Sequence, residues 1–198
     1  MIAAADALES LREGNRRFVA GESNIKESLG QARRAELVGG QSPFAVILAC
    51  SDSRVPVELV FDQGLGDLFV IRVAGNVVSP SQIGSVEFAA AQLGTRLVVV
   101  LGHSNCGAVD ATLKELAREQ ESRSPNLRAI VERIKPAIEP LMGSGVTLQE
   151  AVAANVRHSV RRLHRGSEIL EQLITDGELQ VIGAEYSIET GKVRFFND

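Results

Sequence analysis

Phe44-Ala-Val-Ile-Leu-Ala49, running directly into Cys50-Ser-Asp-Ser-Arg54, is the stretch from which the fold is read. Its apolar part has no polar break, is short for a helix, and lacks the alternation of a half-exposed strand. That pattern fits a strand covered on both faces, as in a parallel sheet. Three further runs share it: Leu68-Phe-Val-Ile71, Leu97-Val-Val-Val-Leu101 and Leu179-Gln-Val-Ile182. Helical spacing of apolar residues covers 5–20, 31–38, 82–93, 108–119, 126–142, 147–165 and 168–175, and Thr147-Leu-Gln-Glu150 reads as a capping box. Strands alternating with helices predict an α/β fold with right-handed crossovers. We expect a central, mostly parallel sheet of order 2-1-3-4, with room for a fifth edge strand, flanked by helices.

The whole chain supports that reading and excludes several function classes. Its 198 residues suit one domain, and no repeat, low-complexity tract or linker divides it. Hydrophobic residues at 44% and charged residues at 23% exclude disorder, collagen and coiled coil. A net charge of −4 offers no basic excess for a nucleic-acid backbone. No apolar run nears the roughly 20 residues that span a bilayer. The first residues, with Asp6, Glu9, Arg12 and Glu13, do not read as a secretion signal. Two cysteines do not make a disulfide scaffold, so the cytoplasm is the expected compartment.

Chemistry gathers just past two of the strands. The first ends in Cys50-Ser-Asp52-Ser-Arg54-Val-Pro56 and the third in Gly102-His103-Ser-Asn-Cys106-Gly107. In open α/β sheets ligands bind beyond the carboxyl ends, where neighbouring strands send their connections to opposite faces. The order 2-1-3-4 sets the first and third strands side by side. Cys50, His103 and Cys106 then form a Cys2His set, which suits zinc and leaves one coordination position open, as catalytic sites do. The same residues also admit an inert core cysteine, a Cys50–Cys106 disulfide, or a reactive cysteine with His103 as base. A nucleophile elbow at Ser104 fits poorly, because Cys106 stands where that motif needs glycine. Asp52 and Arg54, two apart, can pair either as a surface ion pair or as a held carboxylate that takes a proton from metal-bound water.

Taken together, Cys50-Ser-Asp52-Ser-Arg54 and Gly102-His103-Ser-x-Cys106-Gly107 resemble the β-class carbonic anhydrase family, over roughly residues 5–190. The resemblance implies one zinc per protomer on Cys50, His103 and Cys106, with Asp52 and Arg54 as a catalytic dyad. It implies reversible hydration of carbon dioxide to bicarbonate by zinc-bound hydroxide, with activity rising above neutral pH because thiolates leave the metal less acidifying. It also implies a homodimer or homotetramer whose N-terminal helices pack on the partner, with the site at the interface. On this view residues 1–40 are a helical arm and 41–198 the zinc-binding core. The rival readings are a carbonyl sulfide or carbon disulfide hydrolase on the same scaffold, and a noncatalytic zinc- or bicarbonate-binding module.

The resemblance extends to substrate contacts. Gln41 stands where plant-type members carry a substrate-binding glutamine, and Phe69, Ala74 and Phe88 where they line an apolar pocket. Those members tend to have valine and tyrosine at the positions of Ala74 and Phe88. The Gly107 N–H, at the start of a helix, is a further candidate donor. Family members that close the site by swinging the aspartate onto zinc carry tryptophan and glycine where Ile47 and Ala49 stand here. We therefore expect an open site at neutral pH, with Asp52 as a fourth ligand only in a closed, low-pH form. His158 and His164, six apart in an arginine-rich helix, do not share a face and read as surface or interface residues.

Overall fold

The computed structural model describes residues 2–25, 29–117 and 124–196. Every residue of β1 (Ala45–Ala49) and of β3 (Leu97–His103) is buried, as uninterrupted apolar runs require. Together with β2 (Leu68–Arg72), β4 (Gln180–Tyr186) and β5 (Val193–Phe195) they form a sheet of order β2-β1-β3-β4-β5. All pairings are parallel except β4 with β5, so the fifth edge strand is present and antiparallel. β4 runs four residues past the apolar stretch that announced it. Gly183, Ala184 and Glu185 break the sequence pattern, but β3 on one side and β5 on the other still pair with them.

The helices are α1 (Ala4–Ala20), α2 (Gln31–Glu36), α3 (Val57–Val60), α4 (Pro80–Glu87), α5 (Gly107–Leu116), α6 (Pro125–Ile138), α7 (Leu148–Arg165) and α8 (Glu168–Thr175). The short α3 had no periodicity long enough to reveal it. The stretch expected over 82–93 is α4 continued by a π-helical turn, Phe88–Gln92. The one expected over 126–142 is α6 tightening into 3-10 geometry at Glu139, three residues after Pro136. The helix expected over 108–119 ends at Leu116, and residues 118 and 119 lie outside the described ones. The capping box at the start of α7 is present: Glu150 N donates to Thr147 Oγ1 (3.2 Å) and Thr147 N to Glu150 Oε2 (2.8 Å).

One face of the sheet is covered chiefly by α4, α7 and α8, through Val86, Val156, Leu163 and Leu170 against Val46, Val98 and Val100. The other carries α1 and α3. Ala7 and Leu11 of α1 share a core with Ile47, Phe61, Val99 and Leu101. Gly14 lies so close to α3's end that a Cβ there would overlap the Phe61 carbonyl oxygen. Asp62, buried at the end of that turn, accepts hydrogen bonds from Arg17 Nε (2.5 Å), Ser23 Oγ (2.5 Å) and the amides of Asn24 and Ile25 (2.9 and 3.1 Å). The expectation of N-terminal helices lying on a partner therefore divides. The apolar stripe of α1 is spent on its own sheet, while α2 buries no residue within the protomer.

Candidate active site

Register brings the two motifs together. Ala49 of β1 pairs with Leu101 of β3, so Cys50 leaves its strand level with Gly102, next to His103 at the end of β3. Beyond β3 the backbone reverses through Asn105, whose positive φ of 56° a short polar side chain tolerates. Cys106 then caps the start of α5. Ser104 is used for tying this turn down: its N–H donates to Tyr186 O (2.9 Å) and its Oγ accepts from Ile188 N (3.0 Å). A hydroxyl held there does not serve as a nucleophile.

Sγ of Cys50, a ring nitrogen of His103 and Sγ of Cys106 lie within 4.8 Å of one another, and all three residues are buried. A tetrahedral zinc with sulfur at about 2.3 Å and nitrogen at about 2.0 Å would draw such atoms to roughly 3.5–3.8 Å. Both cysteines are free thiols, so they do not form a disulfide in this structure. His103 Nδ1 donates to Ser104 O (2.9 Å), which fixes the tautomer and leaves the Nε2 lone pair facing the sulfurs. That Nε2 is fully buried yet has no hydrogen-bond partner among the described residues. An orphaned buried nitrogen is costly, and a cation between it and the two sulfurs removes the cost. The donor set fits zinc.

Electrostatics point the same way. A hydrogen bond from Cys106, aided by contacts from His103 and the amides of Gly75 and Asp52, outweighs burial and draws the Cys50 thiol down to about 4. The Cys50 thiolate and burial push Cys106 well above the usual thiol range. A dication between the two sulfurs would favour the thiolate form of both. Burial pushes His103 down, but Cys50, the Ser104 carbonyl and Asp52 outweigh it and leave it raised.

Asp52 sits beside this cluster, its Oδ2 3.8 Å from His103 Nε2. Arg54 grips it with both arms: Nε donates to Oδ1 (2.9 Å), Nη2 to Oδ2 (2.7 Å), and the Arg54 amide adds a bond to Oδ1 (3.0 Å). These bonds, Arg54's side chain foremost, hold the Asp52 carboxyl far below the usual carboxylate range. Arg54 Nη2 also reaches Asn105 O (3.3 Å), linking the two motifs. The Asp52–Arg54 pair is thus a fixed fork at the mouth of the site.

Sequence reasoning gave no role to Arg72 and Gly75, which buttress it. Arg72 donates from Nε to Cys50 O (3.0 Å) and from Nη2 to Asp52 O (2.6 Å). Gly75 N–H donates to Cys50 Sγ (3.3 Å). The clue available was Arg72-Val-Ala-Gly-Asn76 following a strand, but parallel pairing with β1 is what carries it to the sulfur.

The expected substrate contacts fare unevenly. Gly107, first residue of α5, is exposed beside Cys106, and Ala74 adjoins Gly75. Phe69 pairs with Val46, three rows short of the strand end, and packs on Phe88 (6.1 Å between ring centroids) over the helix-covered face. Gln41 is remote. Pro43, two residues on, is fixed at the amino end of the sheet by Thr95 Oγ1 (3.0 Å), so about 15 Å or more of extended β1 separates Gln41 from Cys50. Within one protomer, Gln41, Phe69 and Phe88 do not meet the cysteine–histidine cluster.

Comparison with known proteins places this architecture. A family model described as carbonic anhydrase matches residues 45–193. A carbonic anhydrase of Mycolicibacterium smegmatis is 43% identical over 188 residues, 94% of this chain and 90% of that one. Carbonic anhydrase 2 of Mycobacterium tuberculosis is 39% identical over 189 residues, covering 94% and 89%. Among solved structures, the β-carbonic anhydrase CcaA superposes with a TM-score of 0.78 at 27% identity, over 96% of this chain and 95% of that one. With the fold and the paired motifs in register, this chain belongs to the β-class carbonic anhydrase family.

Proposed function

We propose that the protein hydrates carbon dioxide reversibly to bicarbonate and a proton, using one zinc per protomer held by Cys50, His103 and Cys106. One observation carries the proposal. Two free sulfurs and a buried His103 Nε2, without a hydrogen-bond partner among the described residues, converge beside a carboxylate gripped by arginine, in a chain of the carbonic anhydrase family. Bound there, zinc supplies a water acidic enough to lose its proton near neutral pH, and hence a nucleophile for carbon dioxide.

The remaining work falls to the chain. Asp52, ionised and fixed by Arg54, accepts a hydrogen bond at Oδ2 beside the cluster and orients the attacking oxygen. The Gly107 N–H, at the positive end of α5, donates to the developing bicarbonate. With Arg54 engaging both carboxylate oxygens, the site is open at neutral pH, and Asp52 joins the metal only in a closed, acidic form.

Gln41, Phe69 and Phe88 contribute from a second copy. Edge strand β2 leaves Leu68, Phe69 and Val70 only half-buried, Phe88 beside it is 49% exposed, and Val38, just after α2, is 87% exposed. Such uncovered apolar surface suits a dimer or tetramer, with α2 of the N-terminal arm completing the interface. No helix among the described residues is long and apolar enough to cross a membrane. The carbonyl sulfide or carbon disulfide hydrolase and the noncatalytic module are not retained, since the relatives named above are carbonic anhydrases. Metal analysis coupled to a carbon dioxide hydration assay, with and without a zinc chelator, tests the proposal. One zinc per chain and activity lost on chelation and regained with zinc are expected. A folded, metal-free, active protein would overturn it.

A further inference from the structure

Behind the cluster lies a second polar layer that the reaction does not require. The turn Ala74–Asn76 follows β2 and carries the N–H that meets Cys50 Sγ. Gly75 adopts a positive φ of 68° there, and a Cβ on it would press on Ile134 Cδ1 at 2.7 Å and Ala108 at 3.1 Å. Two buried residues of α7, a helix far away in sequence, hold this turn. Asn155 Nδ2 donates to Gly75 O (2.8 Å) and Ser159 Oγ to Asn76 O (3.0 Å). Because its partner is a carbonyl, the Asn155 atom in contact must be the amide nitrogen.

This layer is expensive. Asn155 and Asn76 are each 1% exposed, and Asn155 Oδ1 and Asn76 Nδ2 have no hydrogen-bond partner among the described residues. The neighbours on the same helix, Ala151, Val152 and Val156, are apolar, and an apolar residue at 155 would spare the orphaned side-chain carbonyl but take the donor from the buried Gly75 carbonyl. The apolar surroundings do not account for an asparagine there. Its position does: it is one hydrogen bond from the turn whose amide faces the sulfur.

We propose that Asn155 is a positioning residue for Cys50: by holding the Gly75 carbonyl, one peptide plane beyond the Gly75 N–H, it fixes the turn so that this N–H stays aimed at Sγ and limits how that sulfur donates to a metal. The inference rests on Cys50 being a zinc ligand, as proposed above. Outer partners of this kind typically change metal affinity by 10- to 100-fold. Ser159 acts on the next peptide and fixes the far end of the turn.

The test compares the full-length protein with Asn155→Ala and with Leu163→Ala, a buried truncation on the same helix that lies in a different part of the core. Each is loaded with cobalt(II) for the sulfur-to-metal charge-transfer band, and with zinc for chelator competition. Asn155→Ala is expected to shift the band and weaken zinc retention roughly 10- to 100-fold, while Leu163→Ala moves neither. An unshifted band with unchanged retention in Asn155→Ala overturns the inference. Should Asn155→Ala fail to fold, amide exchange in the zinc-loaded wild type decides. A protected Gly75 N–H upholds the clamp, and exchange as fast as an exposed loop amide refutes it. A wild type that shows no such band removes the thiolate–metal reading itself, which distinguishes that failure from this one.

Discussion

Replacing Asp52 by asparagine separates the chemistry of the site from its architecture. Asparagine keeps the shape, and its carbonyl oxygen can still accept from the Arg54 amide and Nε, now 3.0 and 2.9 Å from Oδ1. Its NH2, however, would face Arg54 Nη2, which donates to Oδ2 at 2.7 Å, so donor meets donor and the charge is gone. The pair is open to water, with the Arg54 side chain 49% exposed, so its loss should cost no more than about 1 kcal/mol of stability. None of the three metal-ligand atoms is touched, and zinc content should stay at one per chain. Activity should nevertheless fall about 10²- to 10⁴-fold, the usual worth of a positioned proton acceptor, which is about 3–5 kcal/mol in the barrier. Stopped-flow hydration of carbon dioxide, zinc analysis and thermal unfolding on one preparation measure all three quantities. Full activity in Asp52→Asn would remove the dyad from the mechanism, and loss of zinc would show that Asp52 is needed to build the site.

Three other perturbations probe the scaffold and the assembly. Gly14→Ala pushes a methyl into the Phe61 carbonyl and should destabilise the protein by about 1–3 kcal/mol in urea unfolding; an unchanged midpoint would mean that α1 does not press on the end of α3. Asp62 lies below its ordinary 3.8, because Ser23, Arg17 and the Asn24 amide outweigh its burial, so its contribution is present above that value and lost as pH falls through the lowered one. Asp62→Asn should therefore cost about 1–3 kcal/mol near neutrality and flatten the acid limb of the stability curve, and parallel limbs would refute the assignment. Gln41→Ala should lower activity, and mixing it with Asp52→Asn under subunit exchange should restore part of it, because one of the two sites in a mixed dimer is intact. Absence of any recovery on mixing would argue against Gln41 serving a second copy.

Much of this was legible in the chain because its signals are local. Unbroken apolar runs mark strands covered on both faces, and β1 and β3 are buried throughout. His103 and Cys106 sit three apart on one turn, and Asp52 and Arg54 two apart, so each pair can be seen without knowing the fold. β5 and the far half of β4 were less visible, since Gly183, Ala184 and a three-residue strand carry no pattern of their own and are held by pairing. Asn15 shows the same limit. In sequence it is one polar residue in an amphipathic helix, yet it bonds Val60 O, Gly191 O and Val193 N from two distant parts of the chain.

The amino-acid order alone determined which donors exist and roughly where they fall, because strand ends and tight turns are short-range consequences of residue type. Only the tertiary structure decided which of them meet. Parallel register set Cys50 against His103 and Gly75, a later helix supplied Asn155, 80 residues beyond Gly75, and the length of β1 kept Gln41 away. Spacing along a chain limits how far apart two groups can be, but the hydrogen-bonded sheet fixes their separation, and a catalytic site depends on the second.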